Sequence, residues 1–152
     1  MLECKAMATP MDCNLKLLDD DSSELVDATH YRQIIGSLMY LTNTRPNICF
    51  DVNTLSQYLV QPRWVHLVAA KHVMRYLKGI IDLGLYYDGS HDYRLYGYTD
   101  SDWVGSISDR KNTSGRCFCL GSAMRSWFSR KHSIISRSMT KEKYIADCSA
   151  KL

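Results

Sequence analysis

HLVAAKHVMRYLKGIIDLGLYY, residues 66–87, contains the point at which the chain changes its apolar period. Up to Gly79 the spacing is helical. Leu67, Ala70, Met74 and Leu77 recur at intervals of three and four residues and form one stripe. This predicts a helix over about 64–78, with Gly79 as its stop because glycine accepts the backbone turn that closes a helix. Lys71, Arg75 and Lys78 fall at i, i+4 and i+7, so they line another face of that helix. Three cations within two turns repel one another. Such a face is either solvated or a rail for phosphates. Beyond Gly79 the apolar residues shorten to the alternating, turn-bounded runs of strands.

Upstream of this stretch the pattern stays helical. A first helix is expected over about 29–43, with Thr29 as N-cap and Ile34, Ile35, Leu38, Met39 and Leu41 on its apolar side. A second begins at Pro46, whose missing N–H costs nothing in a first turn. It continues through Ile48, Val52, Leu55 and Leu59 to Pro62. Downstream, Leu83–Tyr87, Arg94–Thr99, Arg116–Gly121, Arg125–Ser129 and Ser133–Arg137 read as short strands. Gly89-Ser90, the polar stretch Asp109–Gly115 and Gly121-Ser122 supply turns, and a last helix starts near Thr140. The fold class is α+β: helices, then antiparallel strands, then a helix. Residues 1–28 read as an irregular acidic arm, because Thr9-Pro10 and the Asp19–Ser23 cluster argue against packed structure.

The composition is that of a globular chain: 152 residues, 45% hydrophobic and 23% charged. Every apolar run is broken by charge or amide well short of the roughly 18 residues a membrane span needs, so no membrane partner is expected. The N-terminus has no apolar core of a secretory signal. The net charge of +3 conceals an asymmetry. Residues 1–30 hold seven acids against Lys5 and Lys16, whereas residues 52–81 hold no acid and residues 110–143 hold nine cations against Glu142. A basic half of this kind suggests a polyanionic partner, with a solvated surface as the alternative. Cys117 and Cys119 share a strand face and could hold a metal with His132. Zinc sites show tighter ligand spacings, so buried thiols are the reading. His66 and His72, six apart, cannot form a tight helical metal pair and read as polar or capping residues. Trp103 and Trp127 read as packing residues that could also stack on a nucleotide.

In this order and spacing, ATPM (8–11), YRQIIGSLMYLTNTRPNICFDV (31–52), HLVAAKHVMRYLKG (66–79), GYTDSDWVG (97–105), DRKNTSG (109–115), SWFSRK (126–131) and KYIA (143–146) resemble copia-type retrotransposon Pol polyproteins. The resemblance implies that residues 29–80 are the helical thumb or connection end of a reverse transcriptase, and that residues 81–152 are a truncated ribonuclease H-like domain. It implies a nucleic-acid partner, an RNA–DNA hybrid or duplex, and also the rest of the polyprotein. An intracellular setting, a cytoplasmic particle or the nucleus, follows from the same likeness. Lys71, Arg75, Lys78, Arg110, Lys111, Arg130 and Lys131 become the candidate nucleic-acid contacts.

The family's hydrolytic chemistry uses two divalent ions, Mg²⁺, about 4 Å apart. Their mutual repulsion, on the order of 15 kcal/mol at an effective dielectric of about 20, demands several converging carboxylates. By resemblance Asp100 is the first of these; Asp102, two residues along, would share its strand face if the strand continued and is at best an auxiliary. The family's second acid, a Glu directly before a Tyr, falls on Lys143. Glu142 cannot substitute, because one helix residue turns the side chain through about 100°. The remaining acids of the family, and the polymerase aspartate pair, have no counterpart between residues 1 and 152. The expectation is a chain inactive on its own, with no cofactor, that at most holds duplexes. Residual Mg²⁺-dependent ribonuclease H activity, or a decayed fragment with no selected role, are the alternatives.

Overall fold

A computed structural model describes residues 3–12, 17, 23–87, 93–102 and 113–131. The expected strand at Ser133–Arg137, the helix near Thr140, the cluster Asp19–Asp21, Trp103 and His132 lie outside the described residues. The chain forms two compact units, Met1–Gly84 and Leu85–Leu152.

The first unit is helical. Helix α1 spans Ala28–Leu41, a 3₁₀ turn spans Pro46–Ile48, α2 spans Cys49–Ser56 and α3 spans Trp64–Gly79. The N-cap of α1 is Asp27 rather than Thr29. Its carboxylate accepts the Thr29 backbone N–H at 2.8 Å, which a Thr two residues later cannot do for itself. Pro46 opens the 3₁₀ turn as its first residue. The second helix is shorter than its apolar spacing suggested. Gln57 and Tyr58 N–H groups bond three residues back, to Thr54 and Leu55, and this tightens the chain out of the helix before Leu59.

The three helices close one core of Tyr31, Ile35, Leu38, Ile48, Val52, Leu55, Leu67, Ala69, Ala70 and Val73. Tyr31 is fully buried and donates its hydroxyl to the Leu55 carbonyl at 2.9 Å, joining α1 to α2. Burial pushes its phenol well above the usual tyrosine range, with Tyr58 adding to the shift. Met39 and Leu41, expected on the apolar side of α1, are exposed. Their places are taken by Tyr31, whose position one turn before Ile35 extends the buried stripe.

The N-terminal arm packs, contrary to the expectation from its composition. Leu17 is buried, and Met11 and Val26 lie against the core. Leu25 forms an antiparallel bridge with Arg63. Val26 N–H donates to the Pro62 carbonyl at 3.0 Å, and Trp64 N–H to the Glu24 carbonyl at 2.9 Å. The arm remains irregular, but its backbone is bonded into the helical unit.

The second unit carries a three-stranded antiparallel sheet in the order β1-β2-β3, with β1 Leu95–Asp102, β2 Thr113–Leu120 and β3 Ala123–Lys131. Gly121 turns β2 into β3 with φ of 59°, a conformation that favours glycine. Leu83–Tyr87, expected as a strand, forms no ladder among the described residues and is not one. Thr113–Gly115, expected within a turn, instead begins β2 opposite Asp102–Asp100. Gly97 lies close to its cross-strand neighbour: a Cβ there would meet the Phe118 ring at 3.1 Å, so the ring would have to give way. Register shifts at Phe118/Cys119, leaving Arg125 as the extra residue of a bulge.

Candidate nucleic-acid interface

Helix α3 positions the basic face. Its start is fixed by His66, whose Nδ1 accepts the Arg63 backbone N–H at 3.0 Å, so the capping role expected of this histidine is realised. The His66 ring is buried and stacks on Tyr58 with centroids 3.8 Å apart. The helix end is held from another direction. The two terminal nitrogens of Arg45 donate to the carbonyls of Ile80 and Ile81, both at 3.2 Å. Sequence reading did not pick out Arg45. Its partners are backbone carbonyls 35 and 36 residues away, which no residue type announces.

Along this helix the three candidate cations each touch the protein itself. Lys71 Nζ sits over the Trp64 ring, 5.3 Å from its centroid. Arg75 Nε donates to the Lys5 carbonyl at 2.8 Å, and Lys78 Nζ donates to the Cys4 carbonyl at 2.8 Å. Between them His72 Nε2 meets the Thr9 carbonyl at 3.0 Å, which requires a proton on that nitrogen. Met7 N–H returns a bond to the Arg75 carbonyl at 3.3 Å. The residues that bring the arm to this face are Cys4, Lys5, Met7 and Thr9, in a segment whose Thr9-Pro10 was expected to argue against packing. Each contributes a backbone group, and backbone groups leave no trace in residue type.

Asp51 is a buried acid in the first turn of α2. Burial raises its carboxyl to about 6, while its own backbone N–H and the nearby His72 pull the other way.

Strand β1 continues through Asp102, so Asp100 and Asp102 stand two apart on one strand, as the sharing of a face requires, while the sheet divides the two cations of β3. Asp100 is exposed on β1 and pairs with Gly115, which pairs in turn with Ser129. Asp102 ends β1 opposite Thr113. Arg130 and Lys131 are adjacent on β3, so they occupy opposite faces of the sheet, and Lys131 shares the face of Ser129. Arg116, unremarked in the sequence, lies opposite Phe128 and stacks on its ring at 4.8 Å. Cys117 and Cys119 are half-buried thiols on one face. Burial raises the Cys117 thiol, with the Cys119 neighbour adding to the shift. Arg110, Lys111 and Lys143 lie outside the described residues. Among the described residues no three metal-ligating side chains converge. Among them, too, no helix is long and apolar enough to cross a membrane.

Comparison with known proteins identifies the chain's relatives. It is 40% identical over 154 aligned residues, its whole length, to the retrovirus-related Pol polyprotein from transposon RE2 of Arabidopsis thaliana. It is 35% identical over 153 aligned residues, 96% of the chain, to the corresponding polyprotein from transposon TNT 1-94 of Nicotiana tabacum. The chain belongs to the copia-type retrotransposon Pol polyproteins. It spans 11% of the length of each of these two polyproteins. An uncharacterized mitochondrial protein of Arabidopsis thaliana is 37% identical over 146 residues, 96% of this chain and 60% of that relative. No family model and no solved structure matches this Pol-family chain.

Proposed function

We propose that this chain is a duplex-holding segment of a Pol polyprotein. In this reading residues 29–80 act as a reverse-transcriptase thumb or connection element, and residues 81–152 are ribonuclease H-like. The observation that carries it is the Lys71, Arg75, Lys78 face of α3 in a chain of this family, with no acid between Asp51 and Asp82 to offset it. Cations at one-turn intervals match a phosphate backbone, and such contacts hold a duplex without reading its sequence. The alternative, residual ribonuclease H, has Asp100 in its favour and Lys143 against it. A lysine at a ligand position brings a cation to where Mg²⁺ would bind, and the two charges repel.

Binding to an RNA–DNA hybrid at several salt concentrations tests the proposal. Each phosphate contact releases counterions and contributes roughly −0.9 to the log–log slope. Replacing Lys71, Arg75 and Lys78 together with Glu should weaken binding and flatten the slope by about two to three units. Equal binding by parent and triple variant at every salt concentration would leave α3 a solvated face, and would favour a decayed fragment. The parent with Mg²⁺ or Mn²⁺ should cut no RNA strand, and cleavage abolished by Asp100→Asn would establish the enzymatic reading instead.

A further inference from the structure

We propose that residues Cys4–Thr9 form a strap that covers the basic face of α3 and competes with phosphates for its donors. This rests on the duplex-holding reading. The strap runs opposite to the helix: Thr9 meets His72, Lys5 and Met7 meet Arg75, and Cys4 meets Lys78. Three of these contacts deliver a side-chain N–H of α3 to a backbone carbonyl of the strap, at 2.8 to 3.0 Å. A carbonyl oxygen and a phosphate oxygen make the same demand on Arg75 and Lys78, a donor at hydrogen-bond distance. Arg75 has four further N–H and Lys78 two, so the strap competes for the approach along Arg75 Nε and one N–H of Lys78 rather than for every donor. The charged phosphate makes the stronger bond, whereas the strap has the advantage of being tethered to its site.

The strap is seated by fit as well as by hydrogen bonds. Gly79 leaves room for it, since a Cβ at that position would meet the Ala6 Cβ at 3.1 Å and the Met7 carbonyl oxygen at 3.5 Å. The Lys71 ammonium sits over Trp64. A duplex would therefore find Lys71 and the exposed part of Lys78 with the strap in place, and gain Arg75 Nε and the strap-held N–H of Lys78 as the strap leaves. Because the duplex-competent state is only part of the population, the strap lowers apparent affinity by the fraction of molecules that are open.

Gly79→Val and Ala6→Trp each crowd the strap from one side while keeping all three cations. The Lys5–Ala6 peptide bond reports on closure, because the carbonyl that trypsin must attack is the one bonded to Arg75. Circular dichroism checks that both variants keep their helices. The expected result is faster tryptic cleavage after Lys5 in both variants than in the parent. Their affinity for a short RNA–DNA hybrid of mixed sequence should rise by on the order of tenfold, with a steeper salt slope. In the parent, saturating hybrid should speed the same cleavage. Cleavage after Lys5 equally fast in parent and variants would mean that no strap is closed, and would overturn the proposal. Faster cleavage with unchanged affinity would overturn it too; if the triple Glu variant still bound weakly, the duplex-holding reading would survive. Hybrid binding by none of the proteins would remove both.

Discussion

The helical unit encloses two of its tyrosines, whereas the sheet unit leaves most of its described tyrosines open. In the first, Tyr31 is fully enclosed and hydrogen-bonded to Leu55, and Tyr58 is stacked on a buried histidine. In the second, Tyr86, Tyr87, Tyr93 and Tyr98 are all more than half exposed. Among the described residues the core is almost wholly helical, and Ala123 is the buried apolar residue of the sheet. The two units are therefore held by different means. Interlocked side chains between three helices stabilise the first. Ladder hydrogen bonds and individual cross-strand pairs, such as Arg116 on Phe128 and Phe118 over Gly97, stabilise the described part of the second.

The difference predicts where substitutions cost most. Ile35 is fully buried at the meeting of the helices, so Ile35→Ala removes three carbons from a packed site and leaves a cavity. A loss of about 2–5 kcal/mol is expected. Amide hydrogen exchange should show protection collapsing across α1, α2 and α3 and holding across β1–β3. Equal loss in both units would mean that the sheet depends on the helical core, and the contrast between the units would fail.

A smaller effect is expected from Gly97→Val. The new Cβ and its methyls must displace the Phe118 ring from 3.1 Å, a change of overpacking worth about 1–3 kcal/mol. The same exchange measurement should now lose protection in β1 and β2 alone. Phe118→Ala in the same chain should recover part of that loss, because it removes the ring that the valine strikes. If Gly97→Val were silent, the close approach would be one that the sheet can relax without cost.

How much of this could be read beforehand differs between the units for a physical reason. The helix α3 was legible to within a residue, because Leu67, Ala70, Met74 and Leu77 repeat at the helical period and Gly79 stops it. The strands around Gly121 were legible because a glycine turn between alternating runs leaves few other choices. Leu83–Tyr87 has the composition of a strand, yet strand formation needs a partner that composition does not reveal. The packed arm was illegible for the opposite reason. The apolar residues of the arm that reach the core, Met11, Leu17 and Val26, follow neither the helical nor the strand period, and its other anchors are carbonyl oxygens, which every residue has. For the same reason the basic face was visible while its occupant was not. Lys71, Arg75 and Lys78 announce a need for oxygen acceptors without saying whether phosphate or peptide supplies them.

The smallest expected effect lies inside the helical unit, at its one buried carboxyl among the described residues. Asp51 has an ordinary value of 3.8 when exposed and about 6 in the folded chain. The folded state therefore binds the proton more tightly than the unfolded one. Between those two values the folded chain carries more protons, so stability falls as pH rises, and above about 6 the penalty is complete. Asp51→Asn keeps the size of the side chain and removes the charge. It should stabilise the unit by about 1–2 kcal/mol at pH 8, less than the full shift implies, because the amide also gives up the attraction of the carboxylate to His72. Near pH 4 parent and variant should converge, since both are then uncharged at this position. Thermal melting of the two proteins across that range provides the check. A gain of the same size at pH 4 and pH 8 would mean that the benefit comes from packing and not from the proton. The slow exchange of helical amides should follow the same pH course while the sheet stays indifferent, because Asp51 belongs to the core of the first unit.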